Sequence, residues 1–174
     1  MEIIKSKIRT IPNFPKPGIM FRDITTLLND REGLKRIIDY FTIRYKGRKI
    51  DRIVAIESRG FIIGGALAHK LQIPLVLARK PGKLPFETVS IDYDLEYGTN
   101  RLEMHKDSVF PEENVLIVDD LLATGGTCQA ACHLVEQLGA KVLECAFIVD
   151  LPDLGGKQKL SKYDIFTLVE FEGY

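Results

Sequence analysis

Two adjacent carboxylates, Asp119 and Asp120, separate an apolar run, Val115-Leu116-Ile117-Val118, from the turn Leu121-Leu122-Ala123-Thr124-Gly125-Gly126-Thr127. The run reads as a strand buried on both faces, with the acidic pair at its C-terminal end, and suits a central place in a parallel sheet. Beyond the turn, Cys128 to Leu138 spaces its apolar residues at helical intervals. The first amides of a helix are unpaired and carry the positive end of its dipole, so a phosphate is a natural guest there. Gly125 and Gly126 let the backbone turn its N–H groups inward, and Thr124 and Thr127 can add hydroxyl donors. Carboxylates repel phosphate, so Asp119 and Asp120 must address another part of the ligand. The hydroxyls of a sugar, above all a cis-diol, are donors that suit them. Taken singly, any of these residues is better read as part of a solvated turn; it is their order that points to a ribose phosphate. Neither G-x-x-x-x-G-K-[ST] nor G-x-G-x-x-G occurs in the chain, which removes the nearest rival phosphate motifs.

A second stretch repeats the pattern. Arg52 to Ile56 reads as a strand, Glu57-Ser58-Arg59-Gly60 as a turn, Phe61 to Leu71 as a helix and Pro74 to Ala78 as another strand. Arg59 is planar, permanently charged and suited to phosphate oxygens. The plainer reading makes it a surface ion-pair partner of Glu57. Downstream, Arg79-Lys80-Pro81-Gly82-Lys83 is basic and broken by proline. Val89 to Tyr97, turned at Gly98 and returning from Arg101 to His105, reads as a polar β-ribbon, either an exposed hairpin or a lid.

Before these, Met1 to Arg9 spaces Ile3, Ile4 and Ile8 as a short amphipathic helix. Ile11 to Asp23 carries three prolines and Gly18, which argue against regular structure, yet Phe14, Ile19, Met20 and Phe21 are too apolar for a solvated loop. Such a stretch packs on the core or lids a pocket. Arg31 to Tyr45 keeps a helical stripe that Gly47 ends. Val142 to Val149 is a buried strand and Ile165 to Phe171 an edge strand. Between them Asp150 to Gly156 is a turn-rich connection whose Gly155-Gly156 has no clear helix behind it, and no ligand is assigned to it.

Composition narrows the classes. The chain has 174 residues, 24 basic and 24 acidic side chains and 45% hydrophobic content, enough for one domain with a sizeable core. Balanced charge speaks against a nucleic-acid face, and no apolar run approaches the length of a membrane span. Three cysteines, with no apolar signal segment, suggest reduced thiols and a cytoplasmic protein. Cys128 and Cys132 lie one helical turn apart beside His133. They lack a fourth zinc partner at usual spacing and read better as small core residues.

Val115 to Thr127 resembles the phosphoribosyl pyrophosphate (PRPP) signature of the type I phosphoribosyltransferases. Phe14-Pro15-Lys16-Pro17-Gly18-Ile19-Met20-Phe21-Arg22-Asp23 is similar to the base-binding hood of the adenine-specific members, and Leu95-Glu96-Tyr97-Gly98 to their catalytic loop. The resemblance implies one α/β domain over 1–174, a central mostly parallel sheet flanked by helices. It adds a small N-terminal hood over about 1–30 and a flexible β-ribbon loop over about 82–104. It implies transfer of phosphoribose from PRPP to adenine, giving AMP and pyrophosphate in purine salvage.

In that scheme Asp119 and Asp120 hold the ribose, Ala123 to Thr127 (Ala123, Thr124, Gly125, Gly126, Thr127) the 5′-phosphate, and Met20, Phe21, Arg22 and Leu121 the adenine. Glu57, Ser58, Arg59, Arg79, Lys80 and Lys83 hold pyrophosphate, and Glu96 is the candidate to accept or relay the base proton. A non-proline cis peptide is expected within Glu57 to Arg59. Mg²⁺ is expected through PRPP and water rather than direct protein ligands, and the chain is expected to form a homodimer with a contact near Arg79 to Lys83. The alternatives are a phosphoribosyltransferase for another base, such as xanthine or orotate, and a PRPP-sensing regulator of the same fold.

Overall fold

Short runs of aliphatic, β-branched residues pair in register to form the centre of the molecule. A computed structural model describes residues 1–95 and 98–173. In chain order the elements are α1 (Glu2–Lys5), β1 (Arg9–Pro12), β2 (Met20–Asp23), α2 (Thr25–Leu28) and α3 (Arg31–Tyr45). There follow β3 (Arg52–Ile56), α4 (Arg59–Leu71), β4 (Leu75–Ala78), β5 (Thr88–Leu95), β6 (Gly98–His105), β7 (Asn114–Leu122) and α5 (Gly126–Gln137). The chain closes with β8 (Lys141–Asp150), a 3₁₀ turn at Pro152–Leu154, α6 (Gly156–Lys159) and β9 (Ile165–Glu170).

Five strands form one parallel sheet in the order β4-β3-β7-β8-β9, so the apolar run of β7 lies at its middle. Successive β7 side chains feed opposite faces, as strand geometry requires. Leu116 and Val118 pack with Phe41 of α3 and Ile63 and Leu67 of α4, whereas Val115 and Ile117 pack with Ala131 and Val135 of α5. The chain leaves β3 through α4 toward one edge of the sheet and leaves β7 through α5 toward the other. Strand order therefore reverses between β3 and β7. Beyond the carboxyl ends of such a strand pair a crevice opens, and ligands of open α/β sheets bind there. Both polar turns singled out in the sequence, 57–60 and 123–127, sit at that place.

Several expectations are corrected. The N-terminal helix stops at Lys5 rather than Arg9, because Arg9–Pro12 is drawn into an antiparallel pair with Met20–Asp23. The proline-rich stretch thus contains two strands, and Pro15, Pro17 and Gly18 fall in the connection between them. Asp119 and Asp120 lie within β7 rather than at its end, since β8 continues the pairing to Leu122↔Asp150. Gly98 opens β6 instead of turning the ribbon. A short helix, α6, does follow Gly155-Gly156. Leu102 and Met104 of β6 are buried in the α5-side core.

The hood pair is pinned by charge. Asp23 accepts from Arg9 Nε and Nη2 at 3.2 and 2.5 Å and from the Thr25 amide at 2.9 Å. Arg9 first, then Thr25, holds its carboxyl down at about 2. A depressed carboxyl stabilises the fold above the unfolded value of about 3.9 and loses that contribution as pH falls toward the folded value. Asp23→Asn is expected to melt a few degrees below the parent at pH 6, with the gap closing between about pH 4 and 2. Thermal scans across that window test it, and a gap independent of pH would contradict it.

Candidate active site

β3 pairs with β7 only as far as Ala55↔Val118, so from Asp119 onward β7 has one unpaired edge. The first turn of α4 fills it. Arg59 Nε donates to Asp120 Oδ2 at 2.5 Å, and Asp119 Oδ1 accepts from the Asp120 amide at 2.8 Å. A Cβ on Gly60 would stand 2.9 Å from both Asp119 Oδ1 and the Val118 carbonyl, so only glycine allows α4 this approach. The plainer reading of Arg59 as a partner of Glu57 is corrected, because its partner is Asp120. The Asp120 side chain is 6% exposed and the Arg59 side chain 44% exposed.

Burial, and then the charge of Asp120, pushes the Asp119 carboxyl well above its usual range. Burial, the largest single influence, would lower Arg59, but the charge and hydrogen bond of Asp120 together with the charges of Asp119 and Asp23 outweigh it and the guanidinium is held up. The result is one carboxylate bonded to the arginine and one that feels the same guanidinium without a hydrogen bond to any cation among the described residues. Hydroxyl donors, or positive charge developing on a sugar ring, would relieve that second carboxylate.

Behind the acidic pair the chain turns into α5 through Gly125, at φ +82°. This left-handed backbone is one that glycine adopts without strain. The turn is braced from behind by Gly156, whose Cβ would lie 2.3 Å from the Ala123 carbonyl, while a Cβ on Gly125 would lie 3.0 Å from the Gly156 carbonyl. Two glycines from distant parts of the chain therefore interlock under the loop. Thr127 Oγ1 reaches the Tyr93 hydroxyl of the ribbon at 3.4 Å.

A cavity of about 390 Å³, within the range of small-molecule sites, opens beside these parts, although Asp119, Asp120, Gly125, Gly126 and Thr127 are not among the residues that line it. Met20, Phe21 and Arg22 of the hood line it together with Arg59, Leu121, Ala123 and Thr124. Pro15, Lys16 and Ile19 of the hood also line it, and sequence reasoning missed Leu151, Leu154 and Gly173, which complete the wall. Leu151 and Leu154 flank Pro152 in a connection that gave no periodic signal, and only the fold brings them here. Phe14 packs edge-on against Phe21, with ring centroids 5.1 Å apart. Arg22 also ties the hood to the chain end, donating to Thr10 Oγ1 at 2.6 Å and to the Gly173 carbonyl at 2.7 Å. Its guanidinium lies over the Phe171 ring at 4.6 Å.

The other basic residues gather elsewhere. Glu57 accepts from Arg79 Nε at 3.2 Å and from the Lys80 amide at 3.0 Å, and pairs with Lys83 Nζ at 3.4 Å. Burial raises the Glu57 carboxyl, but these three donors more than offset it and hold it low. Glu57, Ser58, Arg79, Lys80 and Lys83 do not line the cavity; Arg79, Lys80 and Lys83 instead form a knot around the Glu57 carboxylate at its flank. The Glu57–Ser58 peptide is cis, as expected for this turn. Glu96 lies outside the described residues.

Comparison with known proteins agrees with this geometry. The phosphoribosyl transferase domain model matches residues 23–173. An adenine phosphoribosyltransferase of Methylobacillus flagellatus is 57% identical over 171 residues, covering 97% of each chain. The crystal structure of adenine phosphoribosyltransferase from Thermoanaerobacter pseudethanolicus superposes with a TM-score of 0.94 at 50% identity, covering 98% of this chain and 99% of that one. That of the Saccharomyces cerevisiae enzyme, in complex with D-2,5-dideoxy-2,5-imino-altritol 1,6-bisphosphate and adenine, gives 0.93 at 40% identity over 97% of both. With a crevice at the strand reversal, a glycine-braced anion turn and relatives matching along nearly its whole length, the chain belongs to the phosphoribosyltransferase family, among its adenine phosphoribosyltransferases.

Proposed function

We propose that this protein transfers the 5-phosphoribosyl group of PRPP to adenine, releasing pyrophosphate and forming AMP. The observation that carries the reading is that one cavity is bordered at once by the hood, by Arg59 and by the start of the phosphate turn. The yeast relative, solved with a bisphosphate and adenine together, supports a site of this kind.

Adenine would lie against Phe21 and Leu121, with Arg22 fixing the hood at their side. Pro12, opposite Met20 in the strand pair, has no N–H with which to occupy the Met20 carbonyl. The Met20 backbone therefore keeps an acceptor for the amino group of a 6-aminopurine. A 6-oxopurine would set carbonyl against carbonyl and leave buried groups unpaired. The 5′-phosphate would take the first amides of α5 and the Thr124 and Thr127 hydroxyls, and Asp119 and Asp120 would take the ribose diol.

As the bond from the anomeric carbon to pyrophosphate stretches, positive charge grows on the ring and negative charge on the departing phosphates. Asp119 faces the first. Arg59, with Nε committed to Asp120, keeps its Nη donors for the second. The basic knot of Arg79, Lys80 and Lys83 on Glu57 would add phosphate contacts, and Glu96 would handle the base proton. The hood and ribbon would keep water from the cationic sugar.

The acidic pair offers hard oxygens beyond the two already engaged by Arg59 Nε and the Asp120 amide, which fits Mg²⁺ held through substrate and water. When bound, Mg²⁺ would neutralise charge on the pyrophosphate oxygens. The same reading includes a homodimer in the cytoplasm. Phe86, 65% exposed and three residues past Lys83, offers apolar surface beside the expected subunit contact.

Labelled adenine with PRPP and Mg²⁺ should give AMP with a kcat/KM at least about 100-fold above that for hypoxanthine. Equal use of both bases, or turnover of xanthine or orotate alone, would overturn the choice of base. Binding of PRPP without turnover of any base would leave a regulator.

A further inference from the structure

On the face of the sheet that carries α5, three sulfurs converge. Cys128 and Cys132 project from successive turns of α5, and Cys145 stands on β8 opposite Ile117 of β7. Their three Sγ atoms lie within 4.8 Å of one another, with Cys132 and Cys145 at 3.6 Å, and all three are free thiols with at most 3% of the residue exposed. The sequence supplied two of these residues and no third. The strand supplies it.

A centre bonded to three sulfurs at about 2.3 Å holds them no more than about 4 Å apart, so the cluster needs only a small contraction. Among the described residues the group contains no fourth His, Cys, Asp or Glu, and the neighbouring His133 points out to solvent, which leaves a tetrahedral zinc site incomplete. Charge narrows the choice further. Three thiolates carry −3, so a monovalent or divalent ion would leave a net negative charge in an apolar interior. The charged side chains felt at the cluster, Glu136 and Glu144, are themselves acidic. Only a trivalent centre gives a neutral product. The Tyr163 hydroxyl, shielded from solvent, is raised by burial and by the nearby Cys132, Glu136 and Cys145.

We propose that Cys128, Cys132 and Cys145 form a three-coordinate binding site for a trivalent thiophilic metalloid, taken up as arsenous acid. Three As–O bonds break and three As–S bonds form. Each thiol proton leaves with one hydroxide as water, and arsenic stays trivalent, so no oxidant or reductant is needed. Access comes through local opening of the first turn of α5, where Cys128 directly follows Thr127 of the phosphate turn.

The test is mass spectrometry of the intact, fully reduced protein after incubation with sodium arsenite. The expected adduct is one arsenic per chain, with a gain of one arsenic less three hydrogens. Denaturation in arsenite should then reveal no free thiol. Cys145→Ala, checked for folding by circular dichroism, should release arsenic at least about tenfold more readily. A gain that retains a hydroxyl on arsenic with one thiol still free, no adduct at all, or unchanged retention by folded Cys145→Ala would each overturn the proposal. If that variant does not fold, the adduct mass and thiol count of the parent protein decide alone.

Discussion

Asp119→Asn is expected to lower kcat/KM by about 100- to 1000-fold, the scale on which a group aimed at developing charge contributes, with no loss of thermal stability. The side chain keeps its shape, and the carboxamide oxygen it gains can still accept from the Asp120 amide, as the Asp119 carboxylate does now. What disappears is the negative charge. In the parent protein that charge is disfavoured by burial and by Asp120, which is why the carboxyl is pushed up. A raised carboxyl stabilises the fold below its unfolded value of about 3.9 and loses that contribution as pH rises through the folded value. At neutral pH the amide therefore relieves a penalty, and Tm should stay level or rise. Asp120→Asn should differ, because the negative charge it removes is the one paired with Arg59 Nε at 2.5 Å, so a neutral acceptor replaces an ion pair and stability falls as well as rate. Kinetics and thermal scans on both variants check this contrast; an active Asp119→Asn enzyme would remove the ring-stabilising role.

Gly156→Ala is expected to raise the KM for PRPP about tenfold or more while changing that for adenine far less. The added methyl would sit 2.3 Å from the Ala123 carbonyl and within 2.9 Å of the Leu122 side chain, closer than real Cβ contacts come. Either α6 or the 123–127 turn must move. Overpacking of this kind costs about 1–3 kcal/mol, and 1.4 kcal/mol corresponds to a factor of ten. Tm should fall by about 2–4 °C for each kcal/mol. The hood residues that would hold the base lie on a different part of the chain, so the two substrates should respond unequally. Parallel rises in both KM values would mean that the damage is general unfolding rather than a displaced phosphate turn.

The contrast between Gly125 and Gly156 marks where the sequence was legible. Gly125 sits beside the acidic pair it serves, in a local pattern of strand, turn and helix that periodicity exposes. Gly156 was set aside as a turn residue, because its importance arises from a carbonyl 33 positions earlier in the chain. The central place of β7 followed from four consecutive apolar residues, since only a strand covered on both faces tolerates them. The partner of Arg59 did not follow, because Glu57 is nearer in sequence while Asp120 is nearer in space. Proline content misled over Ile11 to Asp23. Pro12 closes β1 opposite Met20, Pro15 and Pro17 fall between the strands, and the Arg9–Asp23 pair decides the register. Cys145 was invisible as a companion of Cys128 and Cys132 for the same reason as Gly156: β8 delivers it across the sheet.

A crystal structure of the protein with AMP and pyrophosphate tests the central claim most directly, that a single ribose is held between the turns that follow β3 and β7. The 5′-phosphate should rest on the amides of residues 124–127, the ribose diol on Asp119 and Asp120, the adenine ring on Phe21 and the pyrophosphate beside Arg59. A phosphate bound away from the 124–127 turn, or an adenine outside the cavity lined by Phe21 and Leu121, would contradict it.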